Sequence, residues 1–385
     1  MERIIRKLLK LLFCVFKTND TIIVFESADD FTDSSCNLYK YLLKNHEHAY
    51  KYVWIVHDLK SLKQKKPSTK TFPLGIHNGH FADFIKGVYY QSIAKYVFYT
   101  HHFVGNEYRK KQFRVFITHA SPPVKNSSGL FWNPKKNTHI LAVSDFAADY
   151  RCKTLNGGRD KIVITGLPRN DLLFNSNKKA VIEKLQIETK KIIVWMPTFK
   201  HHKNKRRVDF ANASNDISIM STENFKKLQK ILALRHITLI IKPHPSQDMD
   251  VFKAIESNNI KVFENKTLSD NDIEPYTLLG SADALVTDFS SVYFDYLLVD
   301  RPIAFELSDK KTYDKGIGFI FDRPLDYMPG HKIYNIDDFV KFIDDIANDK
   351  DPCGKERNKL KELNHKYQDG HSTERVLSHF GVIDE

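Results

Sequence analysis

Ala282-Asp-Ala-Leu-Val-Thr-Asp-Phe-Ser-Ser-Val-Tyr-Phe-Asp-Tyr-Leu-Leu-Val-Asp-Arg-Pro-Ile-Ala-Phe-Glu306 is the stretch on which the fold turns. It opens on an apolar run, Ala284 to Val286, whose length and composition predict a buried parallel strand. Thr287, Asp288, Ser290 and Ser291 follow, hydroxyls and a carboxylate gathered at a strand-to-helix turn. Val292, Tyr293, Phe294, Tyr296 and Leu297 then carry a helical pattern that stops at Asp300-Arg301-Pro302, and a second apolar run, Ile303 to Phe305, predicts the next strand. Amides in the first turn of a helix lack intrahelical partners and lie at the positive end of its dipole, so such a turn attracts phosphate oxygens. A helix cap supplied by Asp288 or a serine accounts for the same residues without any ligand.

Asp288-Phe-Ser-Ser-Val-Tyr-Phe-Asp-Tyr296, with Arg301-Pro302 behind it, resembles the hallmark of the CDP-glycerol glycerophosphotransferase family, the primases and polymerases of teichoic acid and related capsule chains. Further matches follow in family order: Thr118-His119, Gly166-Leu-Pro-Arg-Asn-Asp171, Pro197-Thr198, Lys242-Pro-His-Pro245, Tyr327-Met-Pro-Gly330, and Asp369-Gly370 with Glu374-Arg375. Together they span most of residues 20–380. The force of the resemblance lies in the ordered set, since no one motif decides it.

Composition sets the outer limits. A chain of 385 residues is long enough for two domains, and 42% hydrophobic residues provide for extensive cores. The formal charge of +12 points to anionic partners: nucleotides, lipid head groups, polyphosphate chains or nucleic acid. Cys14, Cys36, Cys152 and Cys353 stand far apart, which argues against a zinc site, a redox motif or a disulfide scaffold and suits a reducing cytosol. At about 100° per residue, Arg3, Arg6, Lys7, Lys10 and Lys17 share roughly a third of a helix circumference, with Ile4, Ile5, Leu8, Leu9, Leu11, Leu12, Val15 and Phe16 filling the rest. This run is too short and too charged to span a bilayer and lacks a signal-peptide cleavage site. Residues 1–18 therefore predict an amphipathic helix on an anionic membrane surface, although a helix covering a core has the same pattern.

Strands and helices alternate along the rest. Strands are predicted at Thr21 to Phe25, Tyr52 to Val56, Tyr96 to Tyr99, Arg114 to Thr118, Ile140 to Val143 and Lys161 to Thr165. Helices are predicted at Asn37 to Lys44, at Phe81 to Ala94, and from a Ser144 cap through Thr154, with Lys60 to Lys70 read as a lysine-rich loop. After a polar stretch, Asn175 to Lys190, a second set of strands begins with Ile192 to Met196 and Ile237 to Ile241 and runs on at Leu285 and Ile303. The last predicted helix, near Lys355 to Tyr367, places Leu360, Leu363 and Tyr367 on one stripe. The expected architecture is α/β: two Rossmann-like doubly wound domains facing a cleft, 19–183 for the acceptor and 184–385 for the donor, with packing of the last helix back on the first domain as an alternative. This is the glycosyltransferase-B arrangement, which the resemblance implies as well.

His119 follows a predicted strand, where open α/β sheets place ligands, and an imidazole titrates near neutrality and takes a proton from a hydroxyl. A structural or solvated histidine fits the same position. The resemblance assigns it the role of base, because the family's Trp-His-Gly-Thr-Pro motif falls here, with Thr118, Ala120 and Ser121 departing from it. Lys242 and His244 are held by prolines at the end of another strand, positions suited to a diphosphate, and the resemblance places His244 in the nucleotide-diphosphate site. Arg169 is a candidate phosphate clamp and Thr198 a candidate nucleotide contact. The basic run Lys200 to Arg207 reads as solvated surface or as a contact for phosphate-rich product or lipid, and no nucleic-acid-binding signature accompanies it. Dinucleotide, Walker and metalloprotease fingerprints are absent from the sequence, and no Asp-x-Asp stands at a convincing strand end.

The resulting expectation is a peripheral enzyme on the cytoplasmic face of the cell membrane, of the EC 2.7.8 type. It moves an alditol phosphate from CDP-glycerol to a hydroxyl of an undecaprenyl-diphosphate-linked saccharide and releases CMP. His119 and His244 are the catalytic candidates, and Lys242, Thr287, Asp288, Ser290, Ser291, Thr198 and Arg169 the donor-binding ones. Neither a metal nor a cofactor beyond the CDP-alditol donor is expected, and no nucleic-acid partner. Primase-type addition of one unit is favoured. A processive glycerol or ribitol phosphate polymerase, a sugar-nucleotide glycosyltransferase on the same fold and a non-catalytic polyanion binder are the alternatives.

Overall fold

The computed structural model of the chain describes residues 2–62, 69–100, 109, 111–126, 137–155, 158–198, 219, 221–243, 255–315 and 318–384. Two compact units emerge: Met1–Ser121 with Gly129–Asp171 and His371–Glu385, and Pro122–Ser128 with Leu172–Gly370.

The first unit is built on seven parallel strands: β1 (Asn19–Glu26), β2 (Lys51–Val56), β3 (Thr69–Pro73), β4 (Ala94–Tyr99), β5 (Phe113–Ile117), β6 (His139–Ala142) and β7 (Ile162–Ile164). Their order is β3-β2-β1-β4-β5-β6-β7, so the winding reverses between β1 and β4. Alternation decides which side chain enters which layer. Ile23 and Phe25 join Trp54, Tyr96 and Phe98 under helix Asp33–His46, whereas Ile22 and Val24 join Val53, Ile55 and Val97 on the opposite face. Ser144 Oγ accepts the Ala147 N–H at 3.1 Å, the cap the sequence predicts for helix Asp145–Leu155. Strand β3 begins at the end of the expected Lys60 to Lys70 loop and runs on to Pro73, where the sequence predicts no strand. It is an edge strand with only Phe72 and Pro73 buried, too few apolar residues to mark it.

The second unit carries six parallel strands: β8 (Lys191–Met196), β9 (Ile237–Ile241), β10 (Ile260–Val262), β11 (Ala284–Thr287), β12 (Ile303–Glu306) and β13 (His331–Ile333). Their order is β10-β9-β8-β11-β12-β13, with the reversal between β8 and β11. One layer packs Trp195, Phe225, Leu228 and Leu232 with Phe339, Phe342 and Ile343. The edge strands β10 and β13 have three residues each, below the run length that sequence periodicity reveals.

The units part after Asp171, whereas the sequence places the boundary at 183/184. Helix Lys178–Lys184 belongs with the second unit because Lys178 Nζ lies 2.6 Å from the Asp283 carboxylate, which also accepts the Ile192 N–H at 2.7 Å. The stripe expected for the last helix is also corrected. Helix Gly354–Asn364 buries Arg357, Leu360 and Asn364 while Leu363 is exposed, and a further helix, Ser372–His379, follows and completes the first unit. Arg357 wins the inward face because it pairs with both Asp300 and Asp351.

At the other end, helix Glu2–Phe13 packs on helix Phe81–Ile93 through an unexpected face. Arg6 is 3% exposed, donates to Glu2 at 2.8 Å and to the Leu74 carbonyl, and lies 4.8 Å from the centre of the Phe84 ring. Leu8 and Leu12 are instead 61% and 62% exposed, with Ile4, Leu11, Val15 and Phe16 exposed beside them. Among the described residues no helix is long and apolar enough to cross a membrane.

Candidate active site

In the second sheet β11 is paired with β8, register Val286 to Trp195 and Thr287 to Met196, so the loops leaving these strands start side by side. Thr287 is fully buried and its hydroxyl donates to the Met196 carbonyl at 2.8 Å, which makes it a tie across the strand pair. One residue further on, the buried Asp288 carboxylate accepts the Thr198 N–H and the Thr198 hydroxyl, each at 2.8 Å. Thr198 and Asp288, candidates on separate stretches of sequence, thus form one contact at the point where the winding reverses. Ser290 and Ser291 are half-exposed just beyond it, and Ser290 Oγ accepts the Val292 N–H at 3.4 Å. The helix they open, Val292–Tyr296, has only five residues, so its dipole is weaker than the sequence pattern implied. Lys242 is buried at the end of β9, its N–H donating to the Trp195 carbonyl at 2.8 Å. His244 and the basic run 200–207 lie outside the described residues.

The rest of the hallmark holds this loop from behind. Tyr293, Phe294 and Tyr296 are buried, the Tyr296 hydroxyl donating to the Ala282 carbonyl at 3.0 Å and the Tyr276 hydroxyl to Asp295 at 2.5 Å. His365 Nε2 lies 2.6 Å from the Phe294 carbonyl, and burial holds its pKa below the ordinary histidine value. Arg301 donates to the carbonyls of Gly280, at 3.1 Å, and Ala282, at 2.6 Å, at the end of helix Pro275–Ser281. Gly330 is glycine because a Cβ there stands 2.2 Å from the Ile303 carbonyl oxygen.

In the first unit His119 is exposed just past β5. Its carbonyl accepts Arg169 Nη2 at 2.7 Å, and Arg169 Nη1 lies 3.2 and 3.3 Å from the two Asp33 carboxylate oxygens. Arg169, a candidate phosphate clamp by sequence, is 6% exposed and engaged inside this unit. The Ala120 carbonyl accepts a bond from Arg151, and Ser121 Oγ accepts the Val143 N–H at 3.4 Å. A pair that sequence reasoning missed stands at the other reversal point. Glu26, buried at the end of β1, lies 2.6 Å from His57 Nε2, and this hydrogen bond raises the His57 pKa. Its only sequence signal is a carboxylate and a histidine each at the end of an apolar run. Among the described residues no group of three or more His, Cys, Asp or Glu side chains is arranged to hold a metal ion.

Two parallel α/β units with polar loops gathered at the carboxyl edge of a reversal point define the class of open-sheet proteins that hold ligands there. Within that class, the chain belongs to the CDP-Glycerol:Poly(glycerophosphate) glycerophosphotransferase family, whose profile matches residues 8–380. It is 28% identical over 222 residues to the teichoic acid glycerol-phosphate primase of Bacillus subtilis, covering 57% of this chain and 51% of that protein. It is 23% identical over 345 residues to the teichoic acid poly(glycerol phosphate) polymerase of Staphylococcus epidermidis, covering 80% of this chain and 43% of that one. The chain spans about half the length of the curated relatives it matches. In three dimensions it is similar to the wall teichoic acid polymerase TagF, with a TM-score of 0.75 at 18% identity over 98% of this chain and 92% of that chain. The S. aureus MnaA–UDP co-structure is similar at a TM-score of 0.52 and 14% identity, covering 95% of this chain and 98% of that chain. These two likenesses concern the fold.

Proposed function

We propose that this chain transfers glycerol phosphate, or a related alditol phosphate, from CDP-glycerol to a hydroxyl of a lipid-linked saccharide and releases CMP, in the making of teichoic acid or a related cell-surface polymer. The observation that carries the reading is the Thr198–Asp288 contact, with Ser290 and Ser291 beside it, at the reversal point of the second sheet in a glycerophosphotransferase family member. The acceptor oxygen attacks the β-phosphorus in line and its proton passes to the His119 imidazole. The bond from that phosphorus to the bridging oxygen breaks, and CMP leaves with the electron pair. Thr198, Ser290, Ser291, Lys242 and His244 take the donor's diphosphate, so that catalysis rests on positioning and charge stabilisation.

Addition of a single unit is the favoured outcome. The resemblance to a primase supports it, and the fold shared with a polymerase supports the alternative of a processive enzyme. The site of action is the cytoplasmic face of the membrane. The exposed apolar face of helix Glu2–Phe13, flanked by exposed Lys7 and Lys17 in a chain of net charge +12, fits an anionic lipid surface. Nucleotide release, CMP from CDP-glycerol or CDP-ribitol and UDP from a UDP-sugar, is measured for each donor with an undecaprenyl-diphosphate-linked disaccharide. Turnover of a CDP-alditol alone is the expected result, and consumption of the UDP-sugar instead refutes the assignment. Sizing the lipid product with excess donor distinguishes one added unit from a ladder.

A further inference from the structure

We propose that Arg169 and Arg151 are positioning residues for the transfer: by holding the carbonyls of His119 and Ala120, they fix the backbone from which the His119 imidazole is presented. This deepens the reading of His119 as base and rests on it. His119 is exposed on a loop without regular structure, and a general base on a mobile loop forfeits most of the advantage of a defined approach to the hydroxyl. Here two consecutive carbonyls are taken by guanidinium groups from two separate elements, helix Asp145–Leu155 and the 3-10 turn Pro168–Asn170. Anchoring both oxygens fixes the peptide planes on either side of Ala120, and with them the direction in which the His119 side chain leaves the backbone.

The clamp is more than a loop tie demands. Arg169 is almost wholly buried, a costly place for a cation, and is offset there by Asp33. Asp33 adopts φ 58°, a left-handed conformation that a non-glycine residue keeps only where its surroundings over-determine it. The Ser34 hydroxyl and the Asn37 side chain fasten the same turn, accepting the Arg169 N–H at 3.3 Å and donating to the Pro168 carbonyl at 3.2 Å. Lysine carries the charge as a compact point on a flexible stem, so it does not hold a carbonyl and a carboxylate in the fixed geometry of the planar fork.

The test is a double-mutant cycle on the full chain, with CDP-glycerol and an undecaprenyl-diphosphate-linked disaccharide. Arg169→Lys and Arg151→Lys are each expected to lower kcat on the order of tenfold while the KM for CDP-glycerol stays put. In a His119→Ala background the same substitutions are expected to cost nothing further. Should Arg169→Lys fail to fold, Asp33→Asn and Arg151→Lys carry the cycle, since both leave Arg169 in place. An unchanged kcat with His119→Ala inactive overturns the positioning role alone. So does an equal loss in the His119→Ala background, or a rise confined to the donor KM. Full turnover by His119→Ala itself removes the base, and the clamp's catalytic meaning with it.

Discussion

Asp288 is the residue whose removal tests most of the proposed donor site at once. Asp288→Ala takes away the buried carboxylate that accepts the Thr198 amide and hydroxyl, both at 2.8 Å. Bonds to a charged acceptor are worth about 1.5–3 kcal/mol each, so the two Thr198 bonds together contribute at most about 6 kcal/mol. Deletion also relieves the desolvation of a buried carboxylate, a cost of several kcal/mol, and Thr198 is itself half-exposed, so its freed groups reach solvent. The net loss is then about 2–3 kcal/mol. Asp288→Asn keeps the shape, presenting its oxygen to the amide and its amino group to the hydroxyl, and should cost about 1 kcal/mol. Amide hydrogen exchange in β8 and β11 reads the loss locally, which matters in a chain of two units where one global transition is not guaranteed. The KM for CDP-glycerol should rise in the same order, alanine above asparagine. Wild-type protection and KM in Asp288→Ala, or equal damage from both variants, would refute the argument.

His119→Ala should lower turnover on the order of a hundredfold with donor KM unchanged, and a variant at wild-type rate removes it from the mechanism. Gly330→Ala drives a Cβ to 2.2 Å from the Ile303 carbonyl and should cost about 1–3 kcal/mol, seen as a lower thermal transition; an unshifted transition contradicts the close approach of these backbones. Leu8→Glu with Leu12→Glu should abolish pelleting with anionic vesicles while the circular dichroism spectrum is kept, and continued pelleting at low salt would mean that the exposed face is not the docking surface. Glu26 holds the His57 pKa above its ordinary value, so the pair's contribution is full below that value and lost as pH climbs through the raised one. Glu26→Gln should therefore cost more stability at about pH 6 than at about pH 9 by urea midpoint, and a pH-independent cost would count against an ionic pair.

The parts of the fold legible in the sequence are those written in apolar runs. Strands β1, β2, β4, β8 and β9 are β-branched and aromatic residues buried on both faces, and helix Phe81–Ile93 carries a plain helical stripe. Strands β3, β10 and β13 stayed hidden because each is an edge strand whose short apolar run is broken by a lysine, Lys70, Lys261 or Lys332. The candidate site was legible as a set of strand ends. What each residue does there was not, because that depends on partners remote in sequence. Asp288 was read as a donor contact or a cap, and its acceptance of the Thr198 amide appears only when β8 and β11 are paired. Arg169 reads as a phosphate ligand in the sequence, and its bonds to Asp33 and to the His119 carbonyl come from residues far away in the chain. Arg6 faces inward because the Leu74 carbonyl and the Phe84 ring wait there, a circumstance no helical wheel contains.

The return of the chain to its first unit has a consequence for biosynthesis. Val376, Leu377, Phe380 and Val382 are built into the same core as Phe25 and Trp54. Apart from Pro122–Ser128, the second unit is one unbroken run, Leu172–Gly370. A ribosome therefore releases nearly everything the second unit needs before the first can seal its hydrophobic interior. During elongation the earlier-made sheet waits with Phe98 and Phe113 uncovered on the side that Phe380 later closes. The half of the protein made first is thus the half that finishes last, and its apolar surface is the one open to aggregation for longest.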